Sequence, residues 1–413
     1  HRDLHSFPTR RSSDLVFDCS AFYQGNSLNK LLLSGPDLNN NLAGLLCRFR
    51  KEKIAVTCDV KKMFHQFRVA QEHRKFIRFL WYKEDSNEVI DYQMNVHLFG
   101  ATSSPSCAIF GLQQLAKDYS TEYPGPASFI HQNFYVDDGL ISLPTAKEVI
   151  SLVNDTVDLM KKGNLILHKF LSNDPEVAEA LGCDGPLTKD MSSSSSETTV
   201  NRALGLIWDI NADCFSFTAN SESKPLTRRG ILSTTAAIFD PLGFLAPFTL
   251  KGKLVLQRMC SDGMSWDDPL SEDQLLDWNA WTSCLPDLSD MKIPRCYLDT
   301  DRSGEYQTEL HVFSDASTAA YGVAAYVRVI YSDLDDVKTS LVLGKSRVTP
   351  RKATTIPRLE LQAATLAVKV GDFLQHELHY DGLQTFYWTD SETVLGYIFN
   401  ETRKFHTLVA NRV

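Results

Sequence analysis

Apolar positions along this chain recur in two rhythms, a strand-like one in short runs and a helical one in longer stretches. Ile54-Ala55-Val56-Thr57-Cys58 is an apolar run that ends at Asp59. Phe129 to Val136 is β-branched and aromatic, and Leu140-Ile141-Ser142-Leu143 follows, closed by Pro144. These two runs predict a β-hairpin whose tip carries Asp137 and Asp138. Between the two acidic strands a turn at Gly100 leads to Ser104 and Pro105, which open an apolar helix-like run from Cys107 to Leu115. From Thr145 to Lys162, Val149, Leu152, Val153, Val157 and Met160 recur at helical spacing. Thr145 and Glu148 form a capping box there, and Gly163 is the stop. The next strand-like segment ends in Leu167-His168-Lys169-Phe170.

Beyond Leu226 the pattern turns helical. Thr227-Arg228-Arg229 caps the stretch Ile231 to Phe239, and Leu250 to Met259 is decorated by Lys251, Lys253 and Arg258. Those cations suit phosphate contacts or a solvated helix face equally well. Further on, Glu309 to Val312 and the alternating segment Tyr321 to Val329 read as strands, Pro357 opens a helix-like run to Leu374, and Phe386 to Ser391 ends another strand. The serine run Ser192 to Ser196 buries too little surface to order itself and is expected to be a loop without chemistry.

Two carboxylate sets stand out against this framework. Adjacent carboxylates at a hairpin tip repel, and a hard cation such as Mg²⁺ or Mn²⁺ relieves that repulsion. Asp59, at the end of a buried strand, is available as a third ligand. The alternative reading is ordinary hairpin chemistry, because Asp-Asp-Gly is common in turns. The second set is Asp315 at a strand end, Glu360 on a helix and Asp390 at another strand end. Singly, each of these is a surface charge; the ordered trio suggests a metal site.

Asp59, the Gly100 to Pro105 turn and Tyr135-Val136-Asp137-Asp138, in this order, resemble a reverse transcriptase. The resemblance implies that Asp59 is the first palm aspartate and that Phe64 is the gate that excludes a ribose 2′-hydroxyl. It implies further that Gly100, Ser104 and Pro105 contact the template and that Tyr135 to Asp138 form the catalytic box. Lys169 matches the lysine thought to protonate pyrophosphate, and Ala203 to Trp208 resembles the hairpin that grips the primer. Phe99 departs from the Gln that many retroviral relatives carry before the glycine. Val16-Phe17-Asp18-Cys19-Ser20-Ala21, Gly25-Asn26-Ser27-Leu28-Asn29, Gly35-Pro36-Asp37-Leu38, Met63-Phe64-His65-Gln66, Phe79-Leu80-Trp81 and Ile238 to Gly243 look like the BEL/Pao class of LTR retrotransposon polyproteins. Asp315, Glu360 and Asp390 resemble the ribonuclease H carboxylates.

The implied fold is mixed α+β. It comprises an antiparallel reverse-transcriptase palm backed by helices, partial fingers, a helical thumb and a truncated RNase H-like α/β domain. The expected divisions are an adaptor-like, non-native segment at 1–15, fingers and palm at 16–225, thumb and connection at 226–304, and the RNase H-like domain at 305–413. The implied activity is two-metal nucleotidyl transfer with Mg²⁺ or Mn²⁺, on an RNA template, a DNA primer, deoxynucleoside triphosphates and, at the nuclease, an RNA/DNA hybrid. A cytoplasmic retroelement particle, or the nucleus, is the implied location.

Composition modifies this picture at its edges. The 413 residues give room for two to four domains, and no apolar run approaches membrane-spanning length. Nine cysteines without a CxxC pair read as reduced core thiols, so metal is expected on oxygen. A net charge of −9 argues mildly against tight nucleic-acid binding, which requires only a local basic track. Relatives carry an Arg about four residues before Asp18 and a fourth nuclease carboxylate beyond the last position here, so this polypeptide is expected to be inactive although its palm carboxylates are intact. A non-catalytic remnant and, for the region after Gly205, a Pao-type aspartic peptidase are the alternatives. The peptidase would need an Asp-Ser/Thr-Gly loop, which the chain lacks.

Overall fold

The computed structural model describes residues 16–83, 86–183, 202–218, 224–298, 305–332, 337–352, 354–402 and 404–413. The adaptor-like start and the serine run Ser192 to Ser196 lie outside the described residues. The chain divides into two compact units: His1–Asn41, Val56–Ile141 and Thr145–Pro186 form the first, and Leu42–Ala55, Ser142–Pro144 and Leu187–Val413 the second.

The first unit holds strands β1 (Ile54–Val60), β2 (Arg78–Tyr82), β3 (Val89–Gln93), β4 (Phe134–Tyr135), β5 (Asp138–Leu143) and β6 (Leu167–Ser172), except for two residues each of β1 and β5. Four of them form a sheet in the order β4-β5-β1-β6, while β2 and β3 make a separate antiparallel hairpin. Every residue of β1 except Asp59 is buried, as befits a central strand covered on both faces. Helices Ser104–Asp118, Pro124–Asn133 and Ala146–Lys162 contribute Ile109, Leu112, Ile130, Leu159 and Met160 to one core with Val60 and Met63. The helix Ala146–Lys162 opens with the capping box expected of Thr145 and Glu148. At its far end Asn164, rather than Gly163, takes the positive φ.

Two local expectations are corrected. The run from Phe129 to Val136 is not a strand throughout: helix continues to Asn133 and only Phe134–Tyr135 is extended. Pro124 sits in the first turn, and Pro126, Ala127, Phe129, Ile130 and Asn133 fall on one buried helical face, so packing overrides the β preference of the aromatic residues. The segment Leu167 to Phe170 begins a strand instead of ending one, because β6 runs on to Ser172 against β1.

In the second unit, β7 (Arg202–Ala203), β8 (Leu206–Asp209), β9 (Cys214–Ser216) and β10 (Lys292–Pro294) form an antiparallel sheet in the order β10-β9-β8-β7. Leu204 and Gly205 both have positive φ, the requirement of a type I′ two-residue hairpin, so the hairpin expected at Ala203 to Trp208 forms. Helices Arg228–Ala236, Ala246–Ser261 and Glu272–Thr282 enclose Ile231, Val255, Met259, Trp278 and Trp281, as the helical spacing after Leu226 predicts. Strands β11 (Tyr306–Ala316), β12 (Ala320–Tyr331), β13 (Val337–Val348) and β14 (Gln384–Trp388) then form a mixed sheet in the order β13-β12-β11-β14. β14 lies parallel to β11, and the long helix Ile356–Leu378 makes the crossover between β13 and β14.

Two fully buried arginines tie Leu42–Ala55 to the rest of this unit. Arg295 donates to both carboxylate oxygens of Asp213 at 2.7 Å and to the carbonyls of Phe49, Glu52 and Lys53 at 2.7–2.9 Å. All the N–H groups of its fork are thereby used. Arg50 donates to the carbonyls of Arg295, Pro294 and Leu341 and lies 4.4 Å from the centre of the Tyr297 ring. Among the described residues no helix is long and apolar enough to cross a membrane.

Candidate active sites

The hairpin tip is a tight two-residue turn. Tyr135 pairs with Asp138, leaving Val136 and Asp137 as the turn, and Val136 alone of the two has positive φ, at 52°. That is the φ pattern of a II′ turn with a β-branched residue where glycine is usual, and such strain collects at functional sites. Gly139 is not a turn residue. It lies in β5, where an added Cβ would come within 2.7 Å of Phe134 Cζ and 2.8 Å of Cys58 Sγ, so it is there because β5 packs closely. The backbone N–H of Val60 donates to the carbonyl of Asp137 at 2.9 Å and holds the tip against the end of β1, where Asp59 stands.

Asp137 and Asp138 both feel burial and the neighbouring carboxylates. Burial, followed by the charges of Asp137 and Asp59, pushes Asp138 up to about 6. Asp137 is raised as well, by burial and then by Asp59, against the pull of Lys169 and His168. Like charges gathered in a half-buried site are the condition a divalent cation relieves, and carboxylate oxygens are the donors Mg²⁺ and Mn²⁺ prefer. Yet Asp59 is engaged elsewhere: His168 Nε2 lies 2.6 Å from Oδ1, and Lys169 Nζ donates to Oδ2 at 3.1 Å. Among the described residues, here and in the second unit, no three His, Cys, Asp or Glu side chains are grouped to hold a metal ion.

The neighbouring residues are placed as follows. Phe64 is half-buried on the short helix Met63–Gln66, its ring 4.8 Å from that of Phe99. The departure at Phe99 thus supplies an aromatic support for Phe64. Gly100, at φ 104°, has the Phe17 carbonyl 2.0 Å from where a Cβ would be, and its own carbonyl accepts from Asn29. No other residue fits that position. Ser104 is fully buried and its hydroxyl has no partner among the described residues, whereas Pro105 sits in the first turn of the helix Ser104–Asp118. A contact to template from this motif would come from the turn backbone, not from the Ser104 side chain.

In the second unit Asp315 is the penultimate residue of β11, paired with Gly322 of β12, and Asp390 follows β14, which stops at Trp388 instead of reaching Ser391. Because Phe313 pairs with Trp388 in parallel register, the two carboxylates lie at the same end of the sheet. Both line a groove of about 810 Å³, whose walls include Phe244, Trp388 and Tyr326. Glu360, near the start of the helix Ile356–Leu378, accepts a 2.5 Å hydrogen bond from Ser391 Oγ, next to Asp390. Ser391, not singled out in the sequence, also caps the helix Glu392–Ile398 and so ties the Asp390 loop to Glu360.

Comparison with known proteins identifies both regions. Residues 9–170 match the reverse transcriptase (RNA-dependent DNA polymerase) family, and residues 227–391 match the Pao retrotransposon-like RNaseH-like domain. The chain belongs with the Pao-class retrotransposon reverse transcriptases. In this Pao-class chain the region for which a peptidase was the alternative is therefore an RNase H-like domain. No curated protein matches the sequence. Among solved structures it is similar to a foamy viral protease-reverse transcriptase dRH in complex with ds DNA, with a TM-score of 0.59 at 15% identity, covering 96% of this chain and 60% of that one. It is also similar to the foamy viral protease-reverse transcriptase in complex with RNA/DNA hybrid, with a TM-score of 0.53 at 15% identity, covering 90% and 43%. At that identity the likeness establishes the fold, and the Pao-class chain spans less than two thirds of either viral chain.

Proposed function

We propose that the chain is an RNA-directed DNA polymerase that extends a DNA primer on an RNA template from deoxynucleoside triphosphates. One observation carries the reading: the strained tip that bears Asp137 and Asp138 is hydrogen-bonded to the end of β1 beside Asp59, which gathers three carboxylates in a half-buried place. Asp59 and Asp137 would hold Mg²⁺ or Mn²⁺, with Asp138 contributing charge nearby. When bound, the divalent ions lower the pKa of the primer 3′-hydroxyl and offset the charge of the triphosphate. Lys169, whose ammonium already reaches the edge of the site at Asp59, is placed to give a proton to the departing pyrophosphate. Phe64, braced by Phe99, presents an aromatic edge to the sugar, and the Gly100 turn offers backbone to the template.

The nuclease reading of Asp315, Glu360 and Asp390 is the companion proposal. Their common end of the sheet fits a site that hydrolyses the RNA strand of an RNA/DNA hybrid. The nucleic acids held by the two viral structures, duplex DNA and an RNA/DNA hybrid, support these substrates. A cytoplasmic retroelement particle is the proposed setting. Primer extension on an RNA template with Mg²⁺, comparing a polyprotein that contains this chain with its Asp137→Asn variant, tests the polymerase assignment. Extension is expected to disappear in the variant, and undiminished extension would sink it.

A further inference from the structure

Along a regular strand successive side chains point to opposite faces, so His168 and Lys169 are not expected to share a partner. In β6 both reach Asp59, His168 at Oδ1 and Lys169 at Oδ2. The pairing register explains how. Thr57 faces Leu171 and Asp59 faces His168, so one residue of β1 stands opposite two of β6. Lys169 occupies that bulge with φ at 52°, a left-handed conformation that bulges usually give to glycine. The kink turns two consecutive side chains onto one carboxylate and leaves both of its oxygens in contact with donors from this chain.

We propose that His168 and Lys169 form a clasp that withholds Asp59 from a divalent cation, so that loading of the palm requires Asp59 to be released from β6. The inference rests on the palm assignment above. His168 is a positioning residue in this scheme, acting only through Asp59. The local strain at Lys169 fits a contact that is made and broken, because relaxing the bulge separates the two donors.

The test is a Mn²⁺ titration of the full chain followed by electron paramagnetic resonance, which reads free ion directly and needs no turnover. It is run with Asp315→Asn and Asp390→Asn in the background to silence the second carboxylate set. A competing internal partner scales the apparent affinity down to the fraction of time the site is free, so with Asp59 free about one-tenth of the time His168→Ala is expected to bind Mn²⁺ roughly tenfold tighter. Lys169→Gly, which accepts the bulge conformation, is expected to tighten binding several-fold, and it keeps the test decisive should His168→Ala misfold. His168→Gln retains a donor and is expected to stay near wild type. Unchanged or weaker binding in both His168→Ala and Lys169→Gly overturns the clasp. Asp137→Asn separates the premises. If it binds Mn²⁺ like wild type, the palm assignment fails; if it loses the ion while the clasp variants show no gain, the clasp alone fails.

Discussion

Replacing Asp213 with Asn tests the buried arginine cluster of the second unit. Arg295 is fully buried and its ion partner Asp213 is about one-fifth exposed, so solvent screens the pair little. Asparagine keeps one acceptor oxygen, which serves Arg295 Nε and the Trp208 indole N–H. It turns an amide N–H₂ toward Nη2, where a carboxylate oxygen now accepts at 2.7 Å. One charge-assisted bond is lost, worth about 1.5–3 kcal/mol, and a guanidinium is left buried without its counter-charge. Removing one partner of a buried pair costs about 3–5 kcal/mol; since three backbone carbonyls still hold Arg295, the lower end, about 3 kcal/mol, is expected. For a unit of this size that corresponds to a melting temperature lower by about 6–12 °C. Tryptophan fluorescence is the assay, because Trp81 is the only one of the six tryptophans outside the second unit. The double variant Asp213→Leu/Arg295→Met is not expected to recover stability as apolar replacements of ion pairs often do, because the carbonyls of Phe49, Glu52 and Lys53 would lose their donor. A loss below about 1 kcal/mol for Asp213→Asn, or full recovery in the double variant, would refute the reasoning.

Two further predictions concern the first unit. Gly139→Ala places a methyl within 2.8 Å of both Phe134 and Cys58 without any change of φ preference, and is expected to cost about 1–3 kcal/mol and to reduce primer extension by displacing the tip; a melt and an extension rate equal to wild type would count against the packing role of Gly139. Asp138 titrates near 6 in the folded chain and near about 4 when unfolded, so the folded state binds the extra proton between these values and its contribution to stability falls as pH rises through that window. In the presence of EDTA, Asp138→Asn should therefore gain on wild type in circular-dichroism melts as pH increases from about 4 to above 6, and a pH-independent difference would contradict the shift.

The sequence made the chemistry more legible than its supporting geometry. The placing of Asp59 at the end of β1 and of Asp137 and Asp138 at a hairpin tip was legible because strand ends and turns carry signals of short range: an apolar run, a change of residue type, an acidic pair. The helix at Ala146–Lys162 was legible for the same reason, its capping box and periodicity being local. Phe129 to Asn133 was misread because aromatic and β-branched residues favour strands only where a strand has neighbours, and here one face meets a helical core. His168 went unnoticed since nothing in Leu167-His168-Lys169-Phe170 announces a bulge; a lysine at positive φ is imposed by the pairing of β6 with β1. Arg50 and Arg295 were silent too, for a cation buried against carbonyls from distant segments has the same one-letter signature as a cation in water. The bond from Ser391 to Glu360 carries no local signal either, because it depends on the crossover that brings β14 beside β11.

The contact between Arg50 and the Leu341 carbonyl joins residues separated by 291 positions. During synthesis at about 5–20 residues per second, roughly 15–60 s pass between the two. Over that interval Leu42–Ala55 lacks the Leu341 carbonyl that later helps to enclose Arg50, while the palm strands that follow it, which end at Ser172, are completed well before Leu341 is made. Maturation of this polypeptide is thus paced by its C-terminal half, and a chain released before β13 is made would carry a finished first unit with an unfinished arginine seat at its side of the sequence.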